Sequence, residues 1–565
     1  MLKDYKFKIS YLSEDKLYAS SNPKTGHYII DINDTENSVA FTLHNTVKME
    51  QIKFTLEFDY DFGENARFFA NGYQSWSYSR EYSKNDIQKG LSGLSKNIEY
   101  FTKASRSGDY NFALYNNKVG FFHSFSYAYI RNGNTLDLFG SLCEKTGFTI
   151  IYADMVNGKI IVEKDLEGLT LKAGKTYEVM NLFYCLDEYD AAFDKYFRTA
   201  NIPTPRIKQK IGYTSWYNYY NKISNDIIKR DLESIANSPI KLDIFQVDDG
   251  YQTAVGDWLS VDTVKFPQGM AQVAEDIHSK DMLAGIWLAP FNAQRSSKIA
   301  HEHKDWLIND SKGYHILAGM NWGGYYTLDF YNPEVREYIK KVFNIVLNEW
   351  KYDMVKLDFL FSVAVVPYGN RTRGQIMCDA VDFLRECCGL KLILGCGVPL
   401  FPAFGKFDFC RIGADQSLTW EKNNYFTTFN NEIVSTPNAV TNSIFRRHLD
   451  GRAFCNDPDV FLLRDSNIKT TFEQRKLLAK INKIFGNLLF MSDNIGEYNE
   501  TQKAVYMDTL DGAKKKVVSA EYKTNEIIEI NYIENDVPHN LSFNINTGEI
   551  VDGILTKNPS KIDTN

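Results

Sequence analysis

The sequence predicts an α/β chain with flanking all-β parts: an N-terminal β-sandwich, a central (β/α)8 barrel and a small C-terminal antiparallel β-domain. Three observations predict it. Polar and apolar residues alternate in the first part, as in half-buried strands. From about residue 208, short and nearly continuous apolar runs alternate with amphipathic helical stretches, as parallel strands buried on both faces require. Near residue 497 the pattern returns to short alternating strands. A length of 565 residues leaves room for three to four domains of about 150 residues each. The boundaries read in this way are 1–190 for the sandwich, 191–207 for a linker, 208–496 for the barrel and 497–565 for the C-terminal part.

The N-terminal strands are carried by segments such as "HYIIDI", "SVAFTLH", "QIKFTLEFDYDF" and "FTIIYADM", broken by turns such as Asn132-Gly133-Asn134. The stretch "DEYDAAFDKYFRTANIPTPR" reads as a charged helix followed by a stiff, proline-containing connection. Eight barrel strands are expected at Ile211–Ser215, Asp243–Val247, Leu283–Leu288, Met354–Asp358, Leu392–Gly395, Phe407–Ile412, Ala453–Asn456 and Leu488–Ser492. The clearest helix between them is "NPEVREYIKKVFNIVLNEW". Asn332 caps it, Pro333 suits its first turn, and Val335, Tyr338, Ile339, Val342, Phe343 and Val346 form one apolar stripe. An open doubly wound sheet would want a glycine-rich phosphate loop after its first strand, and "IGYTSWYNYY" is not one. After residue 497, "KAVYMDTL", "KKVVSAEY", "IIEINYI" and "HNLSFNI" are expected as strands, with turns at "NTGEIVDG" and a frayed end at "LTKNPSKIDTN".

Composition excludes several function classes. Lys and Arg number 64 and Asp and Glu 71, a net charge of −7, so bulk charge does not recruit nucleic acid. Eight cysteines without a C-x-x-C pair read as free thiols in a reducing compartment. No apolar stretch has the length of a membrane span or a signal peptide, so a cytoplasmic location is expected. No H-E-x-x-H, Cys/His cluster or G-x-S-x-G elbow occurs, which argues against zinc and a serine nucleophile; Mg²⁺ on carboxylates stays open, without a phosphate-cradling loop beside it, and no cofactor is expected to be needed.

The strand ends of a barrel share one face, and that face carries its chemistry. Here the second strand ends in Asp248 and Asp249, and the third at Trp287. The fourth gives Lys356 and Asp358, two residues apart and so on one side. The fifth gives Cys396, the sixth Arg411 and Asp415, the seventh Asp457 and Asp459, and the eighth Asp493. Any one Asp here can be a loop cap, and Asp248-Asp249-Gly250 can be a tight turn. Polar residues at so many ends of one barrel point instead to a site. Paired carboxylates beside indole rings suit a sugar: two acids perform nucleophilic and acid/base work, about 5–5.5 Å apart in a retaining enzyme. A Trp ring covers the C–H face of a pyranose.

With these motifs in place, the chain resembles the clan D glycoside hydrolases, specifically the melibiase-type α-galactosidases of glycoside hydrolase family 36. The strings that carry the resemblance are "NGYQSWS", "FQVDDGYQ…GDW…KFPQG", "GIWLAPF", "VKLDFL" and "RIGADQ", in the family's order and over almost the whole chain. The resemblance implies a β-supersandwich before the barrel, and a dimer or tetramer. It implies Asp358 as nucleophile and Asp415 as acid/base. Asp248 and Asp249 match the pair on the 4- and 6-hydroxyls of galactose, Lys356 a lysine on neighbouring hydroxyls, and Arg411 an arginine near the 2-hydroxyl. Trp287 matches a wall of the subsite and Trp76 a tryptophan lent by the N-terminal domain, while Trp216 and Cys396 are lining residues. In the implied mechanism Lys356 keeps Asp358 ionised, and a drier pocket keeps Asp415 protonated.

Two departures touch the pocket rim. Ala289-Pro290 stands where members often carry Glu-Pro, and "GCGVPLFPAFGKFDFCR" stands where a glycine-rich "GGGR" is frequent. They leave N-acetylgalactosamine and galactosamine open as alternative sugars. A raffinose-synthase-like transglycosylase and a non-catalytic sugar-binding homologue also remain as alternatives.

Overall fold

The computed structural model describes residues 5–91, 93, 98–310, 312–420 and 430–551. The expected polar end from residue 555 lies outside them. The N-terminal part is two antiparallel sheets, one of six strands and one of seven. The alternation that predicts its strands is what fills the space between the sheets: Phe7, Phe54 and Leu56 from one sheet meet Phe41, Leu43 and Leu182 from the other in a single buried cluster. The rings of Phe41 and Phe54 lie 5.2 Å apart. The hairpin at Asn132–Gly133–Asn134 joins Tyr127–Asn132 to Thr135–Ser141.

Eight parallel strands form the centre: β1 (Lys210–Thr214), β2 (Ile244–Val247), β3 (Leu283–Leu288), β4 (Met354–Leu357), β5 (Leu392–Gly395), β6 (Phe409–Arg411), β7 (Cys455–Asp457) and β8 (Leu488–Met491). Each of the eight predicted runs overlaps one of them. β8 pairs with β1, and β7 pairs with β6. The ring closes because the seventh strand is broken at Pro458–Asp459 and resumes at Val460–Phe461, which pairs with β8. Asp459 makes that break with a φ of 79°. Burial on both faces is nearly complete along β2 and β4, which is why these strands read as continuous apolar runs.

The predicted helix α1 (Pro333–Asn344) starts where expected. Asn332 accepts from the Glu334 amide at 2.9 Å, and Val335, Ile339, Val342 and Phe343 are buried. Ahead of the barrel, the helix at Tyr189–Thr199 buries Phe193, Tyr196 and Phe197. Phe193 stacks on His448 at 3.9 Å, so this helix bolts the sandwich onto the barrel. "HEH" falls at the end of a short helix, Lys298–Glu302.

One expected strand is a helix. "KAVYMDTL" lies mostly in α2 (Glu500–Thr509), nucleated by a reciprocal cap between Asn499 and Gln502. Its buried residues are Gln502, Tyr506 and Thr509, a helical spacing. The other three C-terminal segments are strands Lys515–Tyr522, Ile527–Glu534 and Val537–Asn544, in one antiparallel sheet. Among the described residues no helix is long and apolar enough to cross a membrane.

Candidate active site

A cavity of about 370 Å³ opens at the C-terminal ends of the barrel strands. Of the ten residues expected at the site, eight line it: Asp248, Asp249, Trp287, Lys356, Asp358, Asp415, Trp76 and Trp216. Arg411 and Cys396 do not.

Beyond β2, the Asp248 carboxylate accepts from Lys356 Nζ at 2.8 Å, from Gln246 Nε2 at 2.9 Å and from its neighbour's amide at 2.9 Å. Asp249 accepts from Gln252 Nε2 at 2.5 Å and from Trp322 Nε1 at 3.0 Å. Burial pushes the Asp249 carboxyl above its ordinary range, and these two donors pull it back.

Lys356 on β4 and Asp358 just beyond its end both line the cavity, yet the ion pair of Lys356 is with Asp248. Lys356 therefore acts on Asp358 through its charge rather than through an ion pair. The lysine is buried, which works against its charge, but Asp248 and then Asp358 hold it above its ordinary value. Asp358 is held by hydrogen bonds instead. Trp287 Nε1 donates to one carboxylate oxygen at 3.0 Å and the Phe359 amide to the other at 2.8 Å. Phe359 reaches back in this way because its φ is 54°. Burial raises the Asp358 carboxyl, opposed first by the charge of Lys356 and next by the Trp287 N–H.

The sixth strand places Arg411 and Asp415 differently from each other. Asp415 is the more open acid, with a third of its side chain exposed, while Arg411 is 1% exposed. Arg411 lies in the wall behind, where its guanidinium donates to Asp415 at 3.0 Å and pairs with Asp459 at 3.2 Å. Asp459 also accepts from Tyr217 Oη at 2.5 Å and from the Gln416 amide at 2.7 Å. Burial pushes Asp459 up to about 7. Asp457 caps the Asp459 amide at 2.8 Å, and Asp493 is engaged by Arg464 and Tyr498. None of these three lines the cavity.

Trp76 reaches the cavity from the N-terminal sandwich. Its indole N–H donates to Cys396 Sγ at 3.2 Å, and its ring packs on Phe359 and Phe361 at 5.0 and 5.6 Å. Cys396 is thereby a buried anchor. Gly397 makes the approach possible: a Cβ there would stand 2.8 Å from Trp76 Cζ2, and its φ is +57°. Arg446 fastens the same loop from the barrel by donating to the carbonyls of Gly72, Gln74 and Ser75 and to Asn71 Oδ1.

The cavity also exposes residues that motif reading missed. Trp322 and Tyr325 come from an excursion between β3 and β4, Phe359 and Phe361 follow the fourth strand, and Asn430 and Glu432 follow the sixth. The available signal for Trp322 was its position before two glycines in "NWGGYY".

Residues 183–380 match the family model Melibiase. The chain is melibiase-like. A bifunctional alpha-galactosidase/sucrose kinase of Mediterraneibacter gnavus is 27% identical over 241 residues, which cover 40% of this chain and 25% of that protein. An alpha-galactosidase of Escherichia coli is 29% identical over 201 residues, covering 34% of this chain and 27% of that one. The matched stretch therefore spans about a quarter of the length of these curated relatives. In fold the likeness is wider. An alpha-galactosidase from Thermus thermophilus, solved in complex with p-nitrophenyl alpha-D-galactopyranoside, superposes with a TM-score of 0.70 at 22% identity, over 91% of this chain and 98% of that one. The GH36 alpha-galactosidase AgaA from Geobacillus stearothermophilus gives a TM-score of 0.59 at 12% identity, over 96% and 78%.

Proposed function

We propose that the chain is a retaining, exo-acting α-galactosidase that removes terminal α-linked galactose from oligosaccharides or glycoconjugates. The observation that carries this reading is one cavity lined by Asp358 and Asp415 together with Asp248, Asp249, Lys356 and four indole rings, in a melibiase-like chain. The names of the curated relatives and the galactoside bound by the Thermus protein support the sugar. We assign the catalytic unit to residues 208–496.

In the first step the Asp358 carboxylate attacks the anomeric carbon. The glycosidic C–O bond breaks, and the Asp415 carboxyl gives its proton to the departing oxygen. A β-galactosyl ester on Asp358 results. In the second step Asp415, now a carboxylate, takes a proton from water, whose oxygen attacks the same carbon. Galactose leaves with its α configuration and Asp358 is again a carboxylate. The Trp287 and Phe359 N–H groups hold the two oxygens of Asp358 for in-line attack. Asp248 and Asp249 grip the 4- and 6-hydroxyls, with Lys356 on a neighbouring hydroxyl. Arg411 orients Asp415 rather than touching the 2-hydroxyl. The leaving group supplies the dryness that Asp415 lacks in the open cavity.

The test is replacement of the nucleophile. Asp358→Gly loses turnover of an aryl α-galactoside and regains it with azide, giving β-galactosyl azide as product. Full activity without azide would remove Asp358 from the role.

A further inference from the structure

Trp322 stands in a strained turn. Its φ and ψ are 53° and 28°, and Gly323 and Gly324 follow with φ of 78° and 105°. A non-glycine residue in the left-handed region costs about 1 kcal/mol or more, and such strain gathers at functional sites. Three positive φ values in a row carry the indole from the excursion strands Leu317–Gly319 and Tyr325–Thr327 into the cavity wall. There the ring packs between Phe359 at 4.8 Å, Tyr325 at 5.3 Å and Trp287 at 6.0 Å. Its N–H meets Asp249 Oδ2 at 3.0 Å.

We propose that Trp322 is a specificity-determining residue of the sugar pocket: its N–H fixes the Asp249 carboxylate as acceptor for the 6-hydroxyl end of the pyranose, and its ring closes the pocket there. The proposal rests on the galactoside reading above. Among the described residues Asp249 has two side-chain donors, Gln252 on one oxygen and Trp322 on the other. The charged groups facing it are Asp248 on its own segment and Asp358 from the fourth strand, both of which disfavour its ionised form. Lys356 is already committed to Asp248. Removing the Trp322 N–H leaves the carboxylate loosely aimed and easier to protonate.

The experiment compares wild type, Trp322→Phe, Trp322→Leu and Trp322→His on p-nitrophenyl α-D-galactopyranoside and on its 6-deoxy analogue, with folding checked by thermal melting. In Trp322→Phe, KM for the galactoside rises roughly tenfold, the weight of one charge-assisted hydrogen bond, while kcat stays within about threefold. The preference for the 6-hydroxylated sugar shrinks by the same factor. The acid limb of kcat/KM moves to higher pH. Trp322→His, which keeps an N–H donor, recovers part of the preference. Unchanged preference and unchanged acid limb in a folded variant without the N–H donor, Trp322→Phe or Trp322→Leu, would overturn the proposal, even if kcat fell for both substrates. A wild-type chain that cleaves no aryl α-galactoside would instead overturn the galactoside reading.

Discussion

Asp358 and Asp415 meet opposite surroundings, and that difference sets what each replacement does. Asp358 is enclosed and doubly hydrogen-bonded, whereas Asp415 keeps contact with solvent and leans on Arg411. Loss of Asp415 removes a proton from the leaving group, an effect of about 10²–10⁴-fold. Asp415→Asn therefore lowers kcat/KM for a galactosyl disaccharide by that factor, and much less for a dinitrophenyl galactoside whose leaving group needs no proton. Equal losses on both substrates, measured side by side, would deny Asp415 the acid role. Strand-end position made both acids legible, because a barrel converges its strand ends whatever the sequence between them. Their partners were not legible. Lys356 is two residues from Asp358, yet its ion-pair partner Asp248 follows β2, two strands over with β3 between them, a neighbourhood that no local pattern encodes. Trp322 was hidden for a similar reason, since its wall is built by an excursion of three-residue strands.

The strands of the barrel were legible as elements because each is buried on both faces and so reads as one apolar run. The segment at Glu500–Thr509 shows where that reasoning breaks. Its Val505–Tyr506–Met507 core has strand-like residues, and apolar runs of this length do not separate helix from strand. The caps decide it: Asn499 accepts from the Gln502 amide at 3.0 Å, and Gln502 accepts from the Asn499 amide at 2.8 Å. Gln502 also donates to Leu463 O and to Asp465, tying the helix to the barrel. Asn499→Ala removes the cap and is expected to destabilise the chain by about 1 kcal/mol, read as a fall in denaturant midpoint with unchanged slope. A similar logic applies to the Trp76 loop. Gly397→Ala adds a Cβ 2.8 Å from the indole at a φ of +57°, so Trp76 must move, and KM for the galactoside rises while the melting temperature falls. A variant with unaltered KM would show that Trp76 does not hold the sugar.

At the scale of the whole molecule, the sandwich and the barrel share one cavity, and the joint between them is polar and buried. Arg446 makes five hydrogen bonds to the Trp76 loop and to Ile412, with no carboxylate ion-pair partner among the described residues, and burial pushes it down to about 10. Glu432 is the acidic counterpart at the same joint. It accepts from Ser77 Oγ at 2.8 Å and Tyr110 Oη at 2.7 Å, both from the N-terminal part. Burial, and then the charge of Asp109, raise Glu432 from 4.5 to about 7. A carboxyl raised on folding binds its proton more tightly in the native state. Its stabilisation is complete below the unfolded value and disappears as pH climbs through the folded one. Glu432 therefore favours the folded joint by roughly 3 kcal/mol at pH 4 relative to pH 8. Glu432→Gln cannot titrate, so the melting-temperature advantage of wild type over this variant must shrink steadily between pH 5 and pH 8. Calorimetric scans of the two proteins at pH 5, 6, 7 and 8 check it. Parallel curves would mean that Glu432 holds its proton equally in the folded and unfolded chain, and that the joint between sandwich and barrel is indifferent to pH.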